Sequence, residues 1–165
     1  MTIKRIVYTR PDGGVSVIVP APNHFRELIT RLKREDKAME DVKTKVVPPD
    51  ATNVETTDAN NIPSDRSFRD AWERDTSPAP ESVKVNMPKA RSIHMDRIRT
   101  ARDAKLKDLD LAYMQADELG DAASKKAIVA EKQALRDLPQ TFDLNAATTP
   151  EDLKALWPSI LPLAS

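Results

Sequence analysis

Residues 88–139 read PKARSIHMDRIRTARDAKLKDLDLAYMQADELGDAASKKAIVAEKQALRDLP. Pro88 suits the first turn of a helix, where its missing N–H would have no intrahelical acceptor anyway. From Lys89 to Leu119 neither Gly nor Pro intervenes, which predicts one helix about 46 Å long. Gly120 breaks it, and Asp121 is the expected N-cap of a second helix running to Leu138, with Pro139 closing it. One glycine and one cap between two long helices predict a tight antiparallel hairpin. Its facing stripes would be Ile98, Ala101, Leu106, Leu109, Ala112, Tyr113, Ala116 and Leu119 against Ala123, Ala127, Ile128, Ala130, Ala134, Leu135 and Leu138. A seam so rich in alanine buries little apolar area. The hairpin is therefore expected to need a further surface: the tail around Trp157, a copy of itself, or a partner. That tail begins with a short helix from Thr149-Pro150-Glu151 to about Leu156, followed by Trp157-Pro158 and the apolar Ile160, Leu161 and Leu163.

The front of the chain has a different period. Ile3, Ile6, Val7 and Tyr8, then Val15, Val17, Ile18 and Val19, flank Arg10-Pro11-Asp12-Gly13-Gly14. Pro-Asp-Gly supplies the fixed φ and the positive φ of a turn, so residues 3–19 predict a β-hairpin. Pro20 and Pro22 end the second strand. A helix then starts near Asn23 as N-cap, with Phe25, Leu28, Ile29 and Leu32 on one face, and continues or restarts through Ala38, Met39 and Val42. Residues 52–58 (TNVETTD) add a third strand.

The expected fold class is α+β. A small N-terminal ββαβ unit spans residues 1–60, and an extended linker with a short helix spans 61–82. The long antiparallel hairpin and its short terminal helix occupy 83–165. Within the linker, IPSDRSFRDAW (62–72) reads as a helix capped by Ser64 or Asp65, with Phe68, Ala71 and Trp72 on one side. An aromatic pair inside a polar tether reads as an anchor for some surface, and the alternative is packing on the chain's own N-terminal unit.

Composition removes whole classes of chemistry. With no cysteine there is no disulfide framework, thiolate metal site or cysteine nucleophile. Three glycines cannot build a Walker loop or a dinucleotide-binding turn. No apolar run approaches a membrane span, and the first twenty residues lack a signal-peptide layout. His94 lies on a helix with no second His or Cys nearby, and His24 reads as a surface or capping residue. No hydroxyl or carboxylate pair stands in a catalytic pattern, so no catalytic, cofactor or metal residue is expected, and no enzyme.

Charge is more informative than its zero sum. Residues 1–47 carry +4, 48–82 carry −5, 83–107 carry +6 and 108–165 carry −5. Such alternation favours self-docking or docking on partners, against the plainer reading of solvated helix faces. In 89–107, Lys89, Arg91, Arg97, Arg99, Arg102, Lys105 and Lys107 oppose only Asp96 and Asp103. At 100° per residue they spread around the helix, and no aromatic is interleaved for stacking. A nucleic-acid-binding accessory protein using 89–107 is thus the alternative reading, secondary to protein docking. Arg91, Arg97, Arg99 and Arg102 are the expected contacts for an anion or an acidic partner.

The stretch from Arg102-Asp103 through KQALRDLPQ (132–140) to Trp157-Pro158 resembles the C-terminal signature of bacteriophage tail assembly chaperones and tail-fibre assembly proteins. RIVYTRPDGGVSVIVPAP (5–22), DATNVE (50–55) and IPSDRSFRDAW look like small proteins encoded among prophage tail genes. Two positions depart from that pattern. Asp108-Leu109-Asp110 stands near the usual Thr-Asp-Trp, and Glu131 replaces a tyrosine. The resemblance implies a non-catalytic protein that binds other tail or tail-fibre proteins, as an assembly chaperone or as a baseplate or fibre part. It would self-associate or join a hetero-oligomer, in the host cytoplasm during assembly or in the virion tail. Phe68, Trp72, Trp157 and Leu161 are the expected partner contacts, being large groups on short elements.

Overall fold

The structure is a computed structural model, and it describes residues 4–75 and 82–162. Ile3, Leu163 and the linker residues 76–81 lie outside the described residues. The fold is α+β, and the chain divides after Asn86 into two compact units.

In the N-terminal unit, β1 (Lys4–Thr9) lies between β2 (Val15–Ile18) and β3 (Thr52–Asp58), antiparallel to both. The β1–β2 turn forms as its residues dictate. Gly13 has φ +79°, and its N–H donates to the Arg10 carbonyl at 2.9 Å. The Asp12 carboxylate accepts from the Gly14 N–H at 2.8 Å, locking the reversal. Successive side chains of β1 then point to opposite faces. Ile6 packs with Leu28, Met39 and Val42 of the helices on one face. Val7 packs with Val15, Trp72 and Val83 on the other. Both are fully buried, so the central strand serves two cores at once.

Of continuing and restarting, the helix restarts. α1 (Pro22–Leu32) ends at Lys33, whose φ of 55° is left-handed, and α2 (Glu35–Val46) restarts after an extended Arg34. Asn23 is not the N-cap. Ala21 takes that position with Pro22 behind it, and no side chain caps the helix.

Residues 62–75 differ most from the expectation of a tether. Asp65 accepts from the Ser67 N–H and hydroxyl, closing a turn instead of capping a helix. One 3-10 turn, Arg69–Ala71, follows, and then β4 (Trp72–Arg74) pairs antiparallel with β5 (Val83–Val85). Strand pairing takes up the backbone groups that a helix would have used. Val83–Val85 therefore completes the first unit instead of opening the second. Arg74, with its side chain nearly buried, pairs with Glu55 of β3 and donates to the Ser82 carbonyl, tying β3 to this strand pair. The buried Ser82 hydroxyl donates to Thr57 at 2.6 Å.

The C-terminal unit comprises α3 (Met87–Glu118), α4 (Ala122–Thr141) and α5 (Pro150–Ala155). Gly120 (φ +69°) and the Asp121 cap make the turn, as the sequence predicts. α4 passes through Pro139 instead of ending before it. In the last turn the missing N–H costs a single bond, and Phe142 N–H closes the helix on the Leu138 carbonyl at 2.9 Å.

The two tryptophans, Trp72 and Trp157, fall one in each unit, so fluorescence can report on the units separately. Ile6→Ala should destabilise the N-terminal unit by about 2–5 kcal/mol. In a Trp157→Phe background, urea unfolding followed by Trp72 emission checks this. An unchanged midpoint would contradict the two-faced core.

Candidate partner-binding surface

α3 organises the C-terminal unit through one face. Turning at about 100° per residue, Arg91, His94, Ile98 and Lys105 point to the same side. Ile98 is fully buried and His94 nearly so, with Leu135, Leu138, Leu144, Leu153 and Leu161 also inside. Around this core, three polar side chains of α3 hold backbone carbonyls of the segment that follows α4. Arg91 donates to Leu144 O at 3.2 Å and Ala147 O at 2.8 Å. Lys105 donates to Ile160 O at 2.7 Å. His94 Nε2 lies 2.7 Å from Leu156 O, and a carbonyl can only accept, so Nε2 carries the proton.

The carbonyls needed donors because most of residues 142–162 is not helical. Leu156 is the C-cap of α5, where helix geometry leaves carbonyls unpaired. The N-terminus of α5 is satisfied locally: Asp152 N–H donates to the Thr149 hydroxyl, which donates to the Asp152 carboxylate. Trp157 packs edge-on against His94 with ring centroids 5.7 Å apart, and its indole N–H donates to Pro162 O at 2.7 Å.

Toward the turn the hairpin changes character. Ion pairs link its helices: Lys105 with Glu131 at 2.6 Å, Lys132 with Asp110 at 2.5 Å and Lys125 with Asp117 at 2.7 Å. Lys132 also sits over the Tyr113 ring. The expected apolar seam is only partly there. Leu119 is 83% exposed, and Ala123, Ala127, Ala130 and Ala134 are exposed too. α4 instead turns Ser124, Ile128, Glu131, Leu135 and Leu138 inward, leaving the alanine stripe about a quarter-turn away. Leu111, Met114 and Val129 are each more than half exposed. Four of the six large hydrophobic residues exposed among the described residues thus lie between 111 and 129.

The sequence-predicted contacts separate accordingly. Phe68 and Trp72 are 3% exposed in the N-terminal core, so they are not surface anchors as they stand. Leu161 is buried and Trp157 half-buried beside His94. Arg91 is engaged with carbonyls, Arg102 with Asp103 and Arg99 with Asp96, while Arg97 lies on the exposed outer side. Arg91 and Lys105 point inward, which removes them from any phosphate-binding stripe. Sequence reasoning missed His94 and Lys105 as clamps. Their shared helical face with Arg91 was visible, but the carbonyls they meet were not. The N-terminal unit contributes an apolar groove of about 650 Å³ lined by Val19, Pro20, Phe25 and Ile29 together with Arg5 and Arg26. Among the described residues, no three His, Asp or Glu side chains converge as a metal site, and no helix is long and apolar enough to cross a membrane.

Two outcomes follow. His94→Ala should cost about 1–3 kcal/mol by leaving the Leu156 carbonyl without its donor, and should shift Trp157 emission to the red. Urea unfolding in a Trp72→Phe background measures both. The Asp121 carboxyl accepts from the Ser124 hydroxyl and N–H, and the hydroxyl bond contributes most to holding its pKa below the ordinary 3.8. Its stabilisation of the turn is therefore complete above that ordinary value and is lost as pH falls through the lowered one. An NMR titration of Asp121 should give a midpoint below 3.8.

Comparison with protein families matches residues 95–159 to the family described as phage tail assembly chaperone protein. Searches of curated proteins and of solved structures give no match. The matched stretch holds most of α3, all of α4 and α5, and the tail through Trp157-Pro158. Within it, Gln133 donates to Asp137 one turn on, Leu135 is fully buried and Pro158 is buried. Over residues 95–159 the C-terminal helical unit is thus similar to the phage tail assembly chaperone family.

Proposed function

We propose that this chain is a non-enzymatic assembly factor that holds another phage tail component against its C-terminal hairpin while the tail is built in the host cell. The match of the family to the hairpin and tail carries this reading. The exposed groups of α4 support it further. Ala123, Ala127, Ala130 and Ala134 recur at helical spacing on an open face, and Leu119 stands exposed at its end. Small side chains let a partner helix approach closely, and the tail core at the other end of the hairpin holds the two helices together. Trp157 and Leu161 act in this reading as the support of that platform, and the N-terminal groove offers a second place for a partner segment.

Phage lacking the gene should assemble heads without functional tails, and the natural chain supplied in trans should restore them. Ala127→Arg with Ala130→Arg should leave the unfolding midpoint nearly unchanged, since exposed substitutions usually stay within about 0.5 kcal/mol. The same variant should fail to restore tails. Restoration equal to the natural chain would move the docking surface elsewhere. Mass spectrometry of purified virions should find the protein absent, and stoichiometric recovery would make it a virion part instead of a transient chaperone.

A further inference from the structure

α3 and the turn beyond it carry charge of both signs in separate halves. Residues 89–107 hold seven basic and two acidic groups, whereas 108–121 hold five acidic and no basic. On the side of α3 away from Ile98 and Lys105 lie Ile93, Ala104, Leu111 and Met114, spaced by whole turns. Leu111 and Met114 are 55% and 56% exposed. The face is thus apolar in spots, basic toward one end and acidic toward the other.

We propose that a second copy of this chain packs antiparallel along that face, about a two-fold axis level with Asp103 and Ala104. In this register Lys89 of one copy faces Glu118 of the other, and Ile93 faces Met114. On one flank Arg97 meets Asp108. Two-fold symmetry repeats each pair, over a shared length of about 45 Å. The charge order selects the direction: parallel packing would set the basic halves together and the acidic halves together. Apolar spacing selects the register. Sliding one heptad sets Ile93 against Lys107 in one direction and against Asp121, past the end of α3, in the other. The alanine face of α4 stays open, so a pair of chains would present two client platforms.

The absence of cysteine makes this testable in the full chain. Ile93→Cys and Met114→Cys, placed together, lie about 31 Å apart within one helix, too far for a disulfide. Mild oxidation should give a disulfide-linked species of twice 18.4 kDa on a non-reducing gel. Ile93→Cys alone should not cross-link, because the two-fold axis keeps the two copies of position 93 apart. Sedimentation of the natural chain at low salt should show the dimer. Lys89→Glu with Arg97→Glu should weaken it about tenfold or more, and adding Glu118→Lys with Asp108→Arg should restore it. The proposal is overturned if the double-cysteine chain stays monomeric or the single-cysteine chain cross-links equally. It is overturned as well if the natural chain is a monomer throughout the micromolar range, or if the compensating charges fail to restore association.

Discussion

Arg91, His94 and Lys105 project from one face of α3 and donate to the carbonyls of Leu144, Ala147, Leu156 and Ile160, and the rest of the C-terminal unit depends on those bonds. A segment with little helix of its own carries backbone acceptors that cannot be buried unpaired. Side chains from a long, well-formed helix meet that need, and Leu144, Leu153 and Leu161 of the segment are buried as Ile98 and Leu135 of the hairpin are. The alanine-rich hairpin gains from its own tail the apolar cover that its two helices do not give each other. The basic character of α3 has a structural use here before any partner is considered.

The same division of labour explains the other half of the hairpin. Near the turn, ion pairs between α3 and α4 stand beside sparse apolar packing, and pairs whose carboxylates, like these, are more than a third exposed contribute little each. Leu111, Met114, Leu119 and Val129 stay outside. On the proposed reading, in which the chain holds a partner and later releases it, a firm base and a lightly packed, partly apolar end would serve that role. In the N-terminal unit, by contrast, Ile6 and Val7 fill both faces of the central strand, and Trp72 is committed to the second core.

Much of this was legible in the chain. The gap-free run from Lys89 to Leu119, Gly120, the Asp121 cap and the Pro-Asp-Gly turn each act through local backbone chemistry, and the structure follows them. What was not legible depended on partners distant in sequence. Residues 62–75 read as a tether because they are polar and rich in Ser and Asp. β4 becomes a strand only because Val83–Val85 is there to pair with it. Trp72 read as an anchor because it pairs with Phe68 inside a polar stretch, yet it packs with Val7 and Val15 of the sheet. The alanines of α4 were counted as seam because they are apolar, whereas the larger Ile128, Leu135 and Leu138 determine how the helix turns. His94 looked inert for want of a second ligand, and its role came from a carbonyl 62 residues on.

The assembly role rests on a hairpin that is firm where the tail is clamped and loose toward the turn. Native-state hydrogen exchange along α4 of the full chain tests that contrast directly. The amides of residues 133–138, beside Leu135 and Leu138, should exchange only through global opening of the unit, while those of 124–130 exchange orders of magnitude faster through local opening. Uniform protection from 124 to 138 would contradict the account, because the turn end would then be as firmly packed as the base.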